Sequence, residues 1–143
     1  MKNKKGVLIG LLLVALTLFS FKIYNDNREK GMDDLINYNI KDFEAVLINQ
    51  DTISYKKEHA EQLVEFMSEY RVKKMKDSEW DSNVSKVKGF DVTFISKKGN
   101  PVIAHIYENR LIFLNGGDYY HIVNGPIDTA WVEEFTKEFE PVN

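Results

Sequence analysis

Three imidazoles and one run of alternating carboxylates have the strongest claim to chemistry in this sequence. His59, His105 and His121 are its only histidines. A zinc site built from them needs ring nitrogens converging at about 2.0 to 2.1 Å from one ion. His105 and His121 lie in stretches of strand-like alternation with a third, LIFLN, between them. Neighbouring strands are about 4.8 Å apart, so these two rings stand roughly two spacings from each other. The chain has no His-Glu-x-x-His and no cysteine. We therefore expect no histidine metal site and read the rings as satisfied by neighbours or water.

In DSEWDSNVSKVK, Asp77, Glu79, Asp81 and Asn83 alternate as oxygen ligands do in a calcium loop. Such a loop needs Gly at its sixth position for a sharp turn and a bidentate Glu at its twelfth, and here those places hold Ser82 and Lys88. The expected structure is a solvated loop with Trp80 packed on the core. Nucleophilic catalysis has no foundation either: no Ser sits in G-x-S-x-G, there is no thiol, and Glu133 and Glu134 fall on an expected solvent face. Gly116 and Gly117 lack the strand-to-helix setting of a phosphate loop and read as a turn. The sequence thus points to no catalytic residue, no cofactor and no metal, in a protein that is not an enzyme.

Surface recognition remains. Trp80, Tyr107, Tyr119 and Tyr120 are candidates for an aromatic patch that takes a peptide or glycan. Lys73, Lys74 and Lys76, beside Arg71, form a basic cluster that protects a strand edge or docks an anionic partner such as a wall polymer.

The elements that position these residues follow from periodicity. FEAVLIN and TISY read as a hairpin turning at Gln50 and Asp51. In the next segment Ala60, Leu63, Val64 and Met67 recur at helical spacing, predicting a helix over 57–71. VKKMK reads as a strand. Phe90, Val92 and Phe94 then alternate, as do Val102, Ala104 and Ile106, and LIFLN and YYHIV complete an antiparallel meander of about four strands. Ile127, Trp131, Phe135 and Phe139 recur every fourth residue, predicting a closing helix whose stripe is buried over an acidic back. The fold class is α+β: an N-terminal transmembrane helix, then a single domain in which an antiparallel β-meander packs on two amphipathic helices.

From Val7 to Tyr24 the chain carries one charge, Lys22, and a helix of those residues is about 27 Å long, close to one hydrocarbon thickness. Bulky residues occupy the positions before any cleavage point, so an uncleaved signal anchor is expected over 1–24, with a cleaved signal as the alternative. Lys2, Lys4 and Lys5 place the N-terminus in the cytoplasm and the rest outside. Residues 25–40 are expected to be a partly helical juxtamembrane tether, and 41–143 the extracytoplasmic domain. Of the 19 basic and 22 acidic residues, four basic and no acidic ones fall before residue 25, which leaves the exported part at −7. That charge argues against a nucleic-acid partner and predicts a domain standing off the anionic bilayer.

The order of a short hairpin, a Glu- and Lys-rich helix, the hairpin FDVTFISKKGNPVIAHIYENRLIFLN, the strand YYHIV and a closing helix resembles the small extracytoplasmic domains that Gram-positive bacteria carry behind a signal peptide or lipobox. The resemblance spans about residues 42–139 and implies fold and location, but no activity. The lipobox Cys is absent here, so lipid anchoring is not implied. The functional expectation is a cell-membrane protein, held through residues 7–24, that binds or regulates without catalysis and takes an envelope protein or peptide as partner. The alternatives are an immunity or inhibitor protein at the envelope, or an envelope hydrolase with a carboxylate site.

Overall fold

The computed structural model describes residues 2–36, 38–81, 83 and 86–142. It begins with α1 (Lys2–Asn27), whose part from Gly6 onward is long and apolar enough to cross a membrane and is not buried against the rest of the chain. Only Arg28 and Glu29 separate α1 from β1 (Lys30–Gly31), which runs directly into α2 (Met32–Ile36).

The hairpin forms as expected, from β2 (Phe43–Ile48) and β3 (Thr52–Ser54). Its turn sits one residue earlier than expected. Asn49 and Gln50 both take positive φ, 54° and 61°, and the Asp51 N–H donates to the Ile48 carbonyl at 3.3 Å, as in the tight turns that suit the twist of a hairpin. Asn tolerates this backbone region and Gln does not, whereas Gly adopts it freely. Gln50→Gly is therefore expected to raise stability by about 0.5 kcal/mol, read from a urea titration.

After α3 (Lys57–Ser68) and β4 (Arg71–Lys74), the meander is β5 (Gly89–Ser96), β6 (Val102–Tyr107), β7 (Arg110–Phe113) and β8 (Asp118–Ile122), followed by α4 (Thr129–Phe135) and β9 (Glu140–Pro141). The described residues make one antiparallel sheet of nine strands in the order β1-β4-β8-β7-β6-β5-β2-β3-β9. The period of two turns alternate residues of every strand to the same side. On one side Val46, Ile48, Val92, Phe94, Ala104, Ile106, Leu111, Tyr120 and Ile122 are buried in a common core with Met32 and Ile36 of α2, Leu63, Phe66 and Met67 of α3, and Val132 and Phe135 of α4. Burying a Leu, Ile or Phe side chain contributes about 1.5 to 3 kcal/mol, so this helix-covered side holds the fold together.

Two expectations are corrected here. Residues 30–36 are not a spacer: β1 pairs with β4, and Met32 and Ile36 are fully buried, so the core starts at the foot of α1. The closing helix is also shorter than its four-residue stripe. Asp128 caps it by accepting from the Trp131 N–H at 3.1 Å, and after Phe135 the chain tightens into a 3₁₀ turn, Thr136–Glu138. Phe139 is then extended, which lets β9 pair with β3. Phe139 still reaches the core, but Trp131 is only half-buried.

Candidate functional site

Among the described residues the opposite side of the sheet carries no comparable cover, and register arranges its side chains in rows. Lys73 lies opposite His121, His121 opposite Arg110, and Arg110 opposite Tyr107. The next row runs Tyr119, Ile112, His105, Asp91, and a third runs Ile103, Thr93, Leu47, Ile53. Lys73 and His121 are exposed and the others half-buried. In the middle of this face the His105 Nδ1 and an Asp91 carboxylate oxygen are hydrogen-bonded across the β5–β6 ladder.

Trp80, in the β4–β5 connection, lies over the same face. Trp80 stacks on Tyr119 with centroids 4.6 Å apart and 22° between planes, lies 6.2 Å from Tyr107, and takes the Arg110 guanidinium over its ring at 5.0 Å. Such a cation over an aromatic face is worth about 0.5 to 2 kcal/mol, depending on desolvation. The Arg110 Nε is buried and, among the described residues, has no hydrogen-bond partner. Trp80 was expected on the core and instead belongs to the outer face.

Of the aromatic candidates, Trp80, Tyr107 and Tyr119 come together and Tyr120 does not. Adjacent strand residues point to opposite sides, so Tyr120 is in the core while Tyr119 faces out. Its hydroxyl donates to Asp118 at 3.5 Å, and burial, with the Asp118 carboxylate second, pushes its pKa up to about 12. Tyr38 is raised too, mainly by burial. Between pH 10 and 12 the native state thus holds a proton that the unfolded chain has lost, so the stabilisation is complete below about pH 10 and fades as pH rises. Tyr120→Phe is expected to flatten the fall in stability over that window, measured by denaturant titrations at stepped pH.

The basic cluster divides in the same way. Lys74 turns to the inner side and pairs with Asp118 at 2.6 Å, while Lys73 joins the outer row and Lys76 is exposed beyond the strand end. In the loop that resembles a calcium site, Glu79 accepts from the Lys76 N–H at 2.7 Å and Asp81 from the Asn83 N–H at 2.9 Å. These carboxylates brace the loop's own backbone; Ser82 lies outside the described residues. Among the described residues no three His, Asp or Glu side chains gather as metal ligands do. A chelator is expected to leave the melting temperature of the purified protein unchanged.

His59 is buried on the other side. Its Nδ1 and Ser54 Oγ are hydrogen-bonded at 2.8 Å, its Nε2 lies 3.3 Å from a Glu138 carboxylate oxygen, and its ring stacks on Phe139 at 5.0 Å. This is a structural histidine joining α3 to the closing segment.

No family model, curated protein or solved structure matches the chain. The functional reading rests on the outer face itself. Asp91 and Ile112 belong to this face although they were not candidates from the sequence, where alternation already set them opposite the core-facing residues; His121 was considered there only as a metal ligand, and Arg110 joins the face because β7 starts at it.

Proposed function

We propose that this is a membrane-anchored extracytoplasmic protein that binds or regulates without catalysis, recognising an envelope protein or peptide on the outer face of its sheet. The observation that carries the reading is that face: Leu47, Ile53, Ile95, Ile103, Ile112, Tyr107 and Tyr119 remain half-exposed together, with Trp80 stacked at one end. Clustered half-exposed aliphatic and aromatic side chains on a rigid sheet suit a protein or peptide partner. Support for the anchor comes from α1, whose large apolar side chains lie exposed along its length and need lipid around them. The lysines before it favour a cytoplasmic N-terminus. The resemblance to Gram-positive extracytoplasmic domains agrees with this placement.

The same open apolar face favours, as a second reading, an inhibitor or immunity protein that covers an exported toxin. A photo-crosslinking side chain at Ile112 in the full chain tests recognition directly. Discrete adducts with an envelope protein are expected in membranes, with none from a probe at Lys98 in the exposed β5–β6 turn. Equal labelling at both positions refutes recognition by this face. N-terminal sequencing of the membrane-held protein should begin at or near Met1, and a soluble form starting near Phe21 would replace the anchor with a cleaved signal.

A further inference from the structure

From the outermost row of that face we infer a second contact: Lys73, His121 and Arg110 form a ladder that binds the anionic headgroups of phospholipids in the bilayer that α1 crosses. This rests on the membrane anchor proposed above. Three groups able to carry positive charge stand directly opposite one another on β4, β8 and β7. Like charges in such register repel, and a structure keeps them when something of opposite charge meets them. Within the protein that charge is met only in part: Asp26 and Glu79 border the groove beside Lys73 and His121 and the Arg110 guanidinium lies over Trp80, but among the described residues none of the three forms an ion pair with a carboxylate, and the buried Arg110 Nε lacks a hydrogen-bond acceptor. Lys76, exposed and likewise without an ion pair there, extends the ladder at the strand end.

Position selects the source of the anion. Lys73, Lys74, Lys76 and His121 line a groove of about 750 Å³ that also takes in Glu79 and is bordered by Asp26 and Asn27, in the last turn of α1. The apolar run of that helix ends at Tyr24, so Asp26 and Asn27 fall at headgroup depth when the run fills the hydrocarbon. Only Arg28 and Glu29 precede β1, and β1 pairs with β4, the strand that carries Lys73. The ladder is thereby held at the bilayer surface although the exported part is acidic overall. Phosphodiester oxygens accept from Lys ammonium, imidazole N–H and Arg guanidinium donors, and each Lys or Arg at such a surface strengthens the contact about fivefold.

The test uses the full chain in nanodiscs of phosphatidylcholine alone or with added phosphatidylglycerol, reading amide hydrogen exchange in 72–76 and 119–122. Phosphatidylglycerol is expected to slow exchange there about fivefold or more at low salt. High salt should remove the effect. Lys73→Gln with His121→Gln, both exposed positions, should abolish it without lowering the melting temperature, while Lys98→Gln leaves it intact. Equal exchange in both lipids, or protection that survives the double substitution, overturns the proposal. Equal protection in phosphatidylcholine discs on adding free glycerol phosphate also overturns it, since the ladder would then take a soluble phosphate. Failure of the chain to enter the discs at all refutes the anchor instead, and the lipid contact with it.

Discussion

Phe94→Ala is expected to leave a large share of the molecules unfolded, while Ile95→Ala, one residue along, leaves the fold standing. Phe94 is completely buried in the middle of the helix-covered face, with Tyr38 stacked on it at 4.6 Å. Truncating a buried Phe removes its transfer free energy and leaves a cavity that neighbours fill only partly, at a cost of about 3 to 5 kcal/mol. A domain of this size has roughly 5 to 15 kcal/mol in total. Ile95 points to the half-open face, where water already reaches the site, and its truncation should cost about 1 kcal/mol. Urea titrations of the two variants decide it. Similar midpoints would mean that both faces are buried, and the outer face would then have no free surface to offer.

The second large effect concerns the closing segment. An aromatic column runs from Phe66 of α3 to Trp131 at 4.1 Å and 7°, on to Phe135 at 4.7 Å, and ends where Phe135 and Phe139 meet the His59 ring. Phe135 is buried at its centre, so Phe135→Ala should cost about 3 to 5 kcal/mol. Trp131 is half-buried and borders an open groove of about 300 Å³ lined by Gln62, Glu65, Glu69, Tyr70 and Asp128. Trp131→Ala should therefore cost about half as much and leave a folded protein, and near-UV circular dichroism with a denaturant series separates the two. A Trp131 variant as unstable as the Phe135 variant would show that the stack with Phe66, rather than Phe135, holds the closing segment.

The sequence made the meander legible because Phe90, Val92 and Phe94, or Val102, Ala104 and Ile106, repeat a period that only a strand satisfies. Helix α3 was equally plain from Ala60, Leu63 and Met67. The two-residue strands β1 and β9 left no period to detect, since their pairing depends on where α2 and the 3₁₀ turn deliver the chain. The stripe from Ile127 to Phe139 suggested one helix because a helical turn followed by an extended residue can deliver Phe139 to the same core. The outer site was partly hidden for a different reason. Grouping Tyr119 with Tyr120, and Lys73 with Lys74, by nearness in sequence ignored the alternation that sends each pair to opposite faces. Arg110 was overlooked because it belongs to no local cluster, and its role emerges only when β7 is set between β6 and β8.

The two-residue link between α1 and β1 has a mechanical side. The three peptide units from Asn27 to Lys30 span at most about 10 Å, and the strand they lead into is paired along the sheet and continuous with a helix buried in the core. With α1 in a bilayer, the domain has almost no leash: it cannot reach outward to search for a partner, and whatever it engages must come to within the domain's own thickness of the lipid. The absence of slack also means that a load applied to the sheet is felt at once as tilt or rotation of α1.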